Sequence, residues 1–162
     1  PGGFATMGFG PPAAIGAKIA NPDRVVISLV GDGGFGQNPA MLATAVERNL
    51  GIVWIVMNNN AFGTIAGLQK AHYGVTYGTV FPGNIGDNEM TPNYADIAKA
   101  YGANGIRISS AEELLPALEA SLKSNKPTVI DVAMINNPTP TTGHWNILDI
   151  YSPDSDVSHV ST

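Results

Sequence analysis

Three short apolar runs constrain the fold of this chain more than any other feature of its sequence. Val25–Val30, Ile52–Met57 and Thr128–Met134 are rich in β-branched residues and do not alternate with polar residues over their length. Such runs are typical of strands that are buried on both faces, as in a parallel sheet that helices cover. Gly105–Ile108 is a weaker candidate for a fourth strand.

Segments with helix signals lie between these runs. Asn38 and Thr91 are predicted N-caps, each followed by a proline that suits the first helical position, and Gly102 stands where a C′ glycine ends a helix. The alternation of helices with strands predicts an α/β domain with a doubly wound, mainly parallel sheet and helices on both faces. The predicted helices are Pro12–Ala20, Asn38–Asn49, Thr91–Tyr101 and Ser110–Lys123.

The last predicted helix has one clear start signal and one conflict. Ser110 and Glu113 have the spacing of a capping box. Pro116 conflicts with a straight helix from Ser110, since proline lacks the amide that the helix needs. We therefore predict a kink or a late start at this proline.

Two stretches do not fit the alternation. Residues 60–90 are glycine-rich without a clear period, and residues 136–162 are rich in Pro, Thr, Ser and Asp. Long irregular segments in compact domains are often lids or binding loops. We expect one domain over residues 1–135, followed by a tail over 136–162 that is a candidate lid or docking segment.

Composition and charge exclude several classes of function. The chain has 162 residues with 44% apolar and 13% charged residues, which suits one domain with a real core. A net charge of −5 without a basic run argues against nucleic-acid binding, and no apolar run reaches the roughly 18 residues of a membrane span. The absence of cysteine excludes disulfides and thiolate chemistry. The sequence begins at Pro1 without Met or a signal peptide, so we interpret it as a piece of a longer protein. We expect that protein to be cytoplasmic.

The segment Gly31–Gly36 directly follows the first apolar run and has the form of a dinucleotide-binding fingerprint, G-x-G-x-x-G. Two physical objections argue against a dinucleotide. The Asp32 carboxylate would repel a pyrophosphate unless a cation lay between them. The next run ends in Asn58–Asn60, whereas a dinucleotide fold needs an acidic residue there for the ribose.

Both objections disappear if a metal ion bridges the protein and a diphosphate. The carboxyl ends of neighbouring parallel strands face one crevice, so Asp32 and Asn58–Asn60 would converge if their strands are neighbours. Carboxylate, amide, carbonyl and diphosphate oxygens form the hard shell that Mg2+ prefers. Glycines 33, 34 and 36 would let the backbone approach the anion closely.

The spacing of these residues resembles the signature of thiamine diphosphate enzymes. Gly31-Asp32-Gly33 is followed by 24 residues and then by Asn58-Asn59. The flanks resemble the acetolactate synthase branch, in particular Gly2–Gly10, Ala13–Ala17 and Asn21–Arg24. The resemblance runs from residue 2 to about residue 132 and implies the diphosphate-binding domain of such an enzyme.

The resemblance implies two cofactors, thiamine diphosphate and Mg2+. Asp32 and Asn59 would supply side-chain ligands to Mg2+, and Ala61 would supply its backbone carbonyl. The backbone around these ligands would hold the diphosphate, so the implied cofactor-binding residues are Gly31, Asp32, Gly33, Gly34, Asn59, Ala61, Phe62 and Gly63.

The resemblance also implies contacts to the rest of the cofactor and to the substrate. Met7 matches the apolar residue that enforces the bent cofactor conformation, although plain core packing is its alternative interpretation. The backbone carbonyl of Ala5, where the family usually has glycine, would accept a hydrogen bond from the aminopyrimidine. Thr64 and Leu68 lie where the family contacts substrate but differ from the usual Met and Trp.

The function implied by the resemblance is decarboxylation of a 2-oxo acid followed by carboligation, by an enzyme of the lyase or transferase type. A simple 2-oxo acid decarboxylase and a C–C bond hydrolase are alternatives within the family. A non-catalytic nucleotide-binding or regulatory module is the alternative of another class. The activating glutamate of the family has no match here, so a pyrimidine-binding domain, from another segment or subunit of a homodimer or homotetramer, is the expected partner.

Overall fold

A four-stranded parallel sheet forms the centre of the protein. The structure is a computed structural model that describes residues 6–81 and 92–135 fully, and residues 84–85 and 88–89 by their backbone. The sheet has the order β1-β2-β6-β5, and β3 pairs with β4 in a separate antiparallel ribbon. The strands are β1 (Val26–Gly31), β2 (Ile52–Asn58), β3 (Asn84–Ile85), β4 (Asn88–Glu89), β5 (Asn104–Ile108) and β6 (Thr128–Ala133).

Helices cover both faces of the sheet, which confirms the predicted doubly wound α/β fold. On one face, Trp54 and Val56 pack in a cluster with residues of the first, third and fifth helices, and on the other, Val53 and Ile55 pack against the last helix. The indole of Trp54 donates to the Pro11 carbonyl at 3.1 Å, so its one polar atom is satisfied. The helices are α1 (Gly10–Ala20), α2 (Asp32–Phe35), α3 (Met41–Glu47), α4 (Gly63–Tyr73), α5 (Tyr94–Ala100) and α6 (Leu114–Ser124).

The first strand departs from the prediction that all three apolar runs are buried on both faces. β2 is buried almost throughout, but β1 alternates, and its Ile27 and Leu29 are 43% and 69% exposed. The reason is the position of β1 at an edge of the sheet. On the face that carries Ile27 and Leu29, α6 packs over β2 and β6 and leaves β1 uncovered.

Two helices begin later than their sequence signals predict. Residues 38–40 form a turn with i→i+3 hydrogen bonds, and regular α3 begins only at Met41. Asn93, rather than Thr91, caps α5, and its side chain accepts a hydrogen bond from the Asp96 amide at 3.1 Å. Gly102 has the left-handed conformation that was predicted for a C′ glycine.

The capping box of the last helix is present, and Pro116 is accommodated by a late start. A 3-10 turn over Ala111–Glu113 follows Ser110, and α6 itself begins at Leu114. Pro116 therefore lies in the first turn of α6, where a backbone amide would have no intrahelical acceptor.

The segment 60–90 was predicted to be irregular, and this prediction was wrong for its first half. Gly63–Tyr73 is an 11-residue helix that ends at Gly74, whose φ of +70° is left-handed. Gln69 then holds the following loop against α4, because its side-chain oxygen accepts from the Thr79 hydroxyl at 2.6 Å. The tail over residues 136–162 lies outside the described residues.

Candidate active site

The predicted ligands lie at the carboxyl ends of two neighbouring strands. β1 and β2 are parallel and hydrogen-bonded, with Gly31 paired with Met57. Asp32 follows β1 directly, and the turn Asn58–Asn60 ends β2. The condition under which the sequence predicted their convergence, that the two strands are neighbours, is met.

Asp32 is a buried carboxylate whose side chain is held by backbone amides. It is 2% exposed, its Oδ1 accepts from the Gly33 amide at 2.8 Å, and its Oδ2 accepts from the Ala61 amide at 3.1 Å. Burial raises the pKa of the Asp32 carboxyl above its ordinary value, and the hydrogen bonds from Gly33 and Ala61 oppose that rise. A cation beside this carboxylate would favour its charged form.

The Asp32 carboxylate, the Asn59 side-chain amide and the Ala61 carbonyl converge at this point, and we call them the oxygen cluster. The outermost atom of the Asn59 amide lies 3.3 Å from Asp32 Oδ1 and 3.0 Å from the Ala61 carbonyl oxygen. Hydrogen bonding favours the NH2 group at this position, since it would donate to both acceptors. A bound cation would instead favour the amide oxygen there, at the spacing of adjacent ligands on an octahedral Mg2+, which lie about 3 Å apart for metal–oxygen bonds of about 2.1 Å. The donor set therefore fits a hard divalent cation.

The turn that carries Asn59 is fixed by its two neighbours. The Asn58 side-chain oxygen accepts from the Asn60 amide at 3.3 Å, and the Asn60 carbonyl accepts from the Phe81 amide at 3.0 Å. Asn60 has φ of +58°, a left-handed conformation that asparagine tolerates better than most residues. The turn therefore presents Asn59 and the Ala61 carbonyl toward Asp32.

Two glycines are required by the closeness of the packing around this turn. A Cβ at Gly33 would lie 2.5 Å from the ring of Phe62, and a Cβ at Gly63 would lie 2.6 Å from the Asn59 side-chain nitrogen. A real Cβ does not tolerate such distances. Glycine at these positions lets Phe62 cover the Asp32 turn and lets α4 begin directly against Asn59.

The first turn of α4 adjoins the oxygen cluster through Gly63. Thr64 is exposed on this turn, and Leu68, one turn further, is half-buried on the same face. Sequence reasoning missed this helix, although Gly74 after the basic residues Lys70 and His72 is a typical helix end.

Met7 and Ala5 are the two residues that were predicted to contact the rest of the cofactor. Met7 is 48% exposed, and its sulfur lies 3.8 Å from the position that a Cβ on Gly33 would occupy. It therefore sits beside Phe62 at the same turn as Asp32. Ala5 lies outside the described residues.

Some of the backbone amides predicted to bind the diphosphate already donate hydrogen bonds within the protein. The amides of Gly33 and Ala61 donate to the Asp32 carboxylate, and the Phe62 amide donates to the Thr79 carbonyl at 2.8 Å. Gly34 and Gly63 lie in first helical turns, where amides have no intrahelical acceptor.

Sequence reasoning also missed a polar network behind the turn. Asp131 on β6 is 0% exposed and accepts hydrogen bonds from Asn58, Tyr94 and Arg107. The hydroxyl of Tyr94 donates to the Asp32 carbonyl at 3.2 Å. A lone acidic residue inside an apolar strand run was the available signal.

The oxygen cluster differs from a site built of charged or imidazole ligands. Within the described residues, no group of three or more His, Cys, Asp and Glu side chains could hold a metal ion. The cluster has one carboxylate and completes its set with an amide and a carbonyl group.

Among the described helices, none has the length and the apolar character that a membrane crossing needs.

The chain is similar in sequence to several known proteins, and in fold to a solved structure. The "Probable acetolactate synthase large subunit" of Methanocaldococcus jannaschii is 38% identical over 133 residues, which cover 82% of this chain and 22% of that protein. The 3D-(3,5/4)-trihydroxycyclohexane-1,2-dione hydrolase of Shouchella clausii is 36% identical over 149 residues, which cover 90% of this chain and 23% of that protein. The solved structure of Rhodococcus jostii RHA1 thiamine diphosphate-dependent 4-hydroxybenzoylformate decarboxylase superposes on this chain with a TM-score of 0.72 at 33% identity. The superposition covers 82% of this chain and 24% of that one.

The chain thus spans about a quarter of the length of each of these proteins or slightly less. Residues 1–132 match the family described as thiamine pyrophosphate enzyme, C-terminal TPP binding domain. The match includes both strand ends and the turn of Asn58–Asn60. The chain therefore belongs to the thiamine diphosphate enzyme family, and its matched part is the C-terminal domain that binds this cofactor.

Proposed function

We propose that this chain supplies the metal- and diphosphate-binding half of the active site in an enzyme that acts on 2-oxo acids. The observation that carries the proposal is the convergence of the Asp32 carboxylate, the Asn59 side-chain amide and the Ala61 carbonyl, with the amide 3.3 Å and 3.0 Å from the other two groups. These three residues would hold Mg2+, and the ion would neutralise the charge of a diphosphate bound beside them.

The diphosphate would lie between the end of β1 and the start of α4. Gly34 and Gly63 would approach it with backbone amides, and the positive end of α4 would favour its charge. Gly31, Gly33 and Phe62 would shape this cradle, since Gly33 lets the Phe62 ring close over the turn. Anion and cation would then neutralise one another beside the buried Asp32.

Bound thiamine diphosphate supplies the electron sink for carbanion chemistry, and the protein supplies orientation and a dry pocket. Met7 and Phe62 would form the apolar wall against which the cofactor bends, and the Ala5 carbonyl would hold its aminopyrimidine. The activating glutamate would come from a pyrimidine-binding domain, in another segment or in the other subunit of a homo-oligomer. The coverage of about a quarter of each relative is consistent with such a further domain.

The reaction that we propose is decarboxylation of a 2-oxo acid followed by transfer of the resulting acyl anion equivalent to a second carbonyl. The similarity to an acetolactate synthase large subunit supports this assignment. Thr64 and Leu68, on one face of α4, would contact the substrate. Similarity to a decarboxylase and to a hydrolase supports the alternatives, simple decarboxylation or C–C bond hydrolysis.

Calorimetric titration of the protein carrying this chain with thiamine diphosphate and Mg2+ tests the proposal. Asp32→Ala removes the only carboxylate of the oxygen cluster, so we expect the affinity for the cofactor in the presence of Mg2+ to fall at least about 100-fold. EDTA should lower the affinity of the wild type in the same way, because without a cation the Asp32 carboxylate would repel the diphosphate.

Asp23→Ala is the matched control, since Asp23 is exposed and precedes β1 at the opposite end of the sheet. It should leave the cofactor affinity unchanged. Undiminished binding by the Asp32→Ala variant would contradict the proposed function.

A further inference from the structure

Asp131 connects three elements that meet behind the oxygen cluster. Its Oδ1 accepts from the Asn58 side-chain amide at 3.0 Å, at the end of β2. Its Oδ2 accepts from the Tyr94 backbone amide at 3.0 Å, at the start of α5, and from the Arg107 guanidinium at 3.2 Å, on β5. A fully buried carboxylate with both oxygens in use holds these elements in one arrangement.

One branch of this network leads to Asn59 and Ala61. The Asn58 amide nitrogen donates to Asp131 and also to the Pro92 carbonyl at 3.0 Å, which determines the orientation of the whole amide. Its oxygen is thereby turned to the Asn60 amide and closes the turn. Loss of the Asp131 acceptor would remove one of the two acceptors that orient the Asn58 amide and would loosen that turn.

The other branch leads to Asp32. Asp131 fixes the first residue of α5 by accepting from the Tyr94 amide, and the Tyr94 hydroxyl donates to the Asp32 carbonyl at 3.2 Å. The Tyr94 ring also packs edge-on against Phe35, with 5.4 Å between ring centroids. The two strand ends that carry the three cluster oxygens are thus both tied to one side chain.

We infer that Asp131 is a positioning residue that sets the spacing of the metal-binding oxygens through Asn58 and Tyr94. The inference rests on the proposed function, since it concerns the same Mg2+ site. Asp131 does not touch the three proposed ligands, so it acts on the affinity of the site for Mg2+ only through the positions of those ligands. Outer hydrogen-bond partners of metal ligands commonly change metal affinity by about 10- to 100-fold.

The test is titration with Mg2+ at a fixed, saturating concentration of thiamine diphosphate, in the protein carrying this chain. Asp131→Asn keeps the side-chain volume but replaces one acceptor by a donor, which opposes the donors that face it. We expect the Kd for Mg2+ to rise at least about tenfold. A large excess of Mg2+ should restore thiamine diphosphate binding to near the wild-type level, because the defect lies in metal affinity.

Thr128→Val separates positioning from general stability. Thr128 is on the same strand, equally buried, and its hydroxyl donates to the Lys126 carbonyl at the far end of the sheet. This variant should lower the thermal midpoint while keeping the Kd for Mg2+ within about twofold of the wild type. A rise in Kd for Thr128→Val as large as for Asp131→Asn would overturn the inference.

If Asp131→Asn does not fold, Asn58→Ala provides the second test. It cuts the branch toward Asn59 while Asp131 keeps Tyr94 and Arg107, and it should also raise the Kd for Mg2+, by no more than Asp131→Asn does. Where both single variants fold, their double variant should raise the Kd by less than the product of the two single effects, since the two variants share the hydrogen bond between Asn58 and Asp131. Wild-type Mg2+ affinity in Asp131→Asn, or in Asn58→Ala, would overturn the inference alone. Absence of cofactor binding in the wild type would overturn the proposed function with it.

Discussion

Gly63 lies at the first position of α4, directly against the side chain that we propose as a metal ligand. Its backbone is in the helix, so glycine is there for space: a Cβ would lie 2.6 Å from the Asn59 amide nitrogen. The same need for space explains Gly33 beneath Phe62. At the residue scale, the site therefore depends on missing side chains as much as on the oxygens of Asp32 and Asn59.

Gly63→Ala should displace the Asn59 side chain and weaken Mg2+ binding about tenfold, as measured by calorimetry with saturating thiamine diphosphate. The matched control is Gly10→Ala, at the first position of the equally long α1, where a new Cβ meets nothing within 4 Å. Gly10→Ala should leave the Kd for Mg2+ unchanged. Equal Kd values for the two variants would show that Asn59 adapts and is not held by Gly63.

At the scale of elements, the contact between α5 and β5 positions Tyr94. The two elements approach so closely that a Cβ at Gly105 would overlap the carbonyl oxygen of Ala95. Because the obstacle is backbone, only a shift of the whole helix can relieve it. The start of α5, with the Tyr94 amide that Asp131 accepts, would move with that shift.

Gly105→Ala should therefore lower the free energy of unfolding by about 1–3 kcal/mol, as overpacking of a core does. Urea unfolding of the protein carrying this chain measures the change. Gly16→Ala in α1 is the control, since its Cβ would enter open space, and it should raise stability by about 0.5–1 kcal/mol. A Gly105→Ala variant as stable as the wild type would show that α5 moves freely on β5.

At the scale of the whole molecule, the burial of Tyr94 beside the acids Asp32 and Asp131 makes stability depend on pH. Burial, together with the charges of Asp32 and Asp131, raises the pKa of Tyr94 from 10.0 to about 12. The unfolded chain loses this proton near pH 10, while the folded protein keeps it until about pH 12. The stability linked to Tyr94 is therefore complete below pH 10 and is lost as the pH rises toward 12.

Relative to Tyr94→Phe, which cannot ionise, the wild type should lose about 1 kcal/mol of unfolding free energy between pH 9 and pH 11. Urea unfolding at pH 9, 10 and 11 measures this difference. Tyr101→Phe retains Tyr94 and should follow the wild-type pH profile. Parallel profiles for the wild type and Tyr94→Phe would contradict a raised pKa at Tyr94.

Local chemistry in the sequence determined the strands, the family and the ligand candidates. β-branched runs indicated β1, β2 and β6 because side-chain branching and burial act within a few residues. The spacing from Asp32 to Asn59 resembles the signature of the family, and parallel strands bring these two residues together because their carboxyl ends meet at one edge of the sheet. The capping box of Ser110 with Glu113 was equally local and is present, whereas Ala40 and Asn93, rather than Asn38 and Thr91, hold the N-cap positions of α3 and α5.

Only the tertiary structure decided which faces are covered, where α4 begins and how the oxygens are spaced. β1 has the same kind of sequence as β2, yet its outer face is exposed because the edge of a sheet is set by strand order. α4 depends on space at Gly63 and on the loop that Gln69 holds. Asp131 is 73 residues from Asn58 in the chain, so their hydrogen bond exists only once β6 lies beside β2.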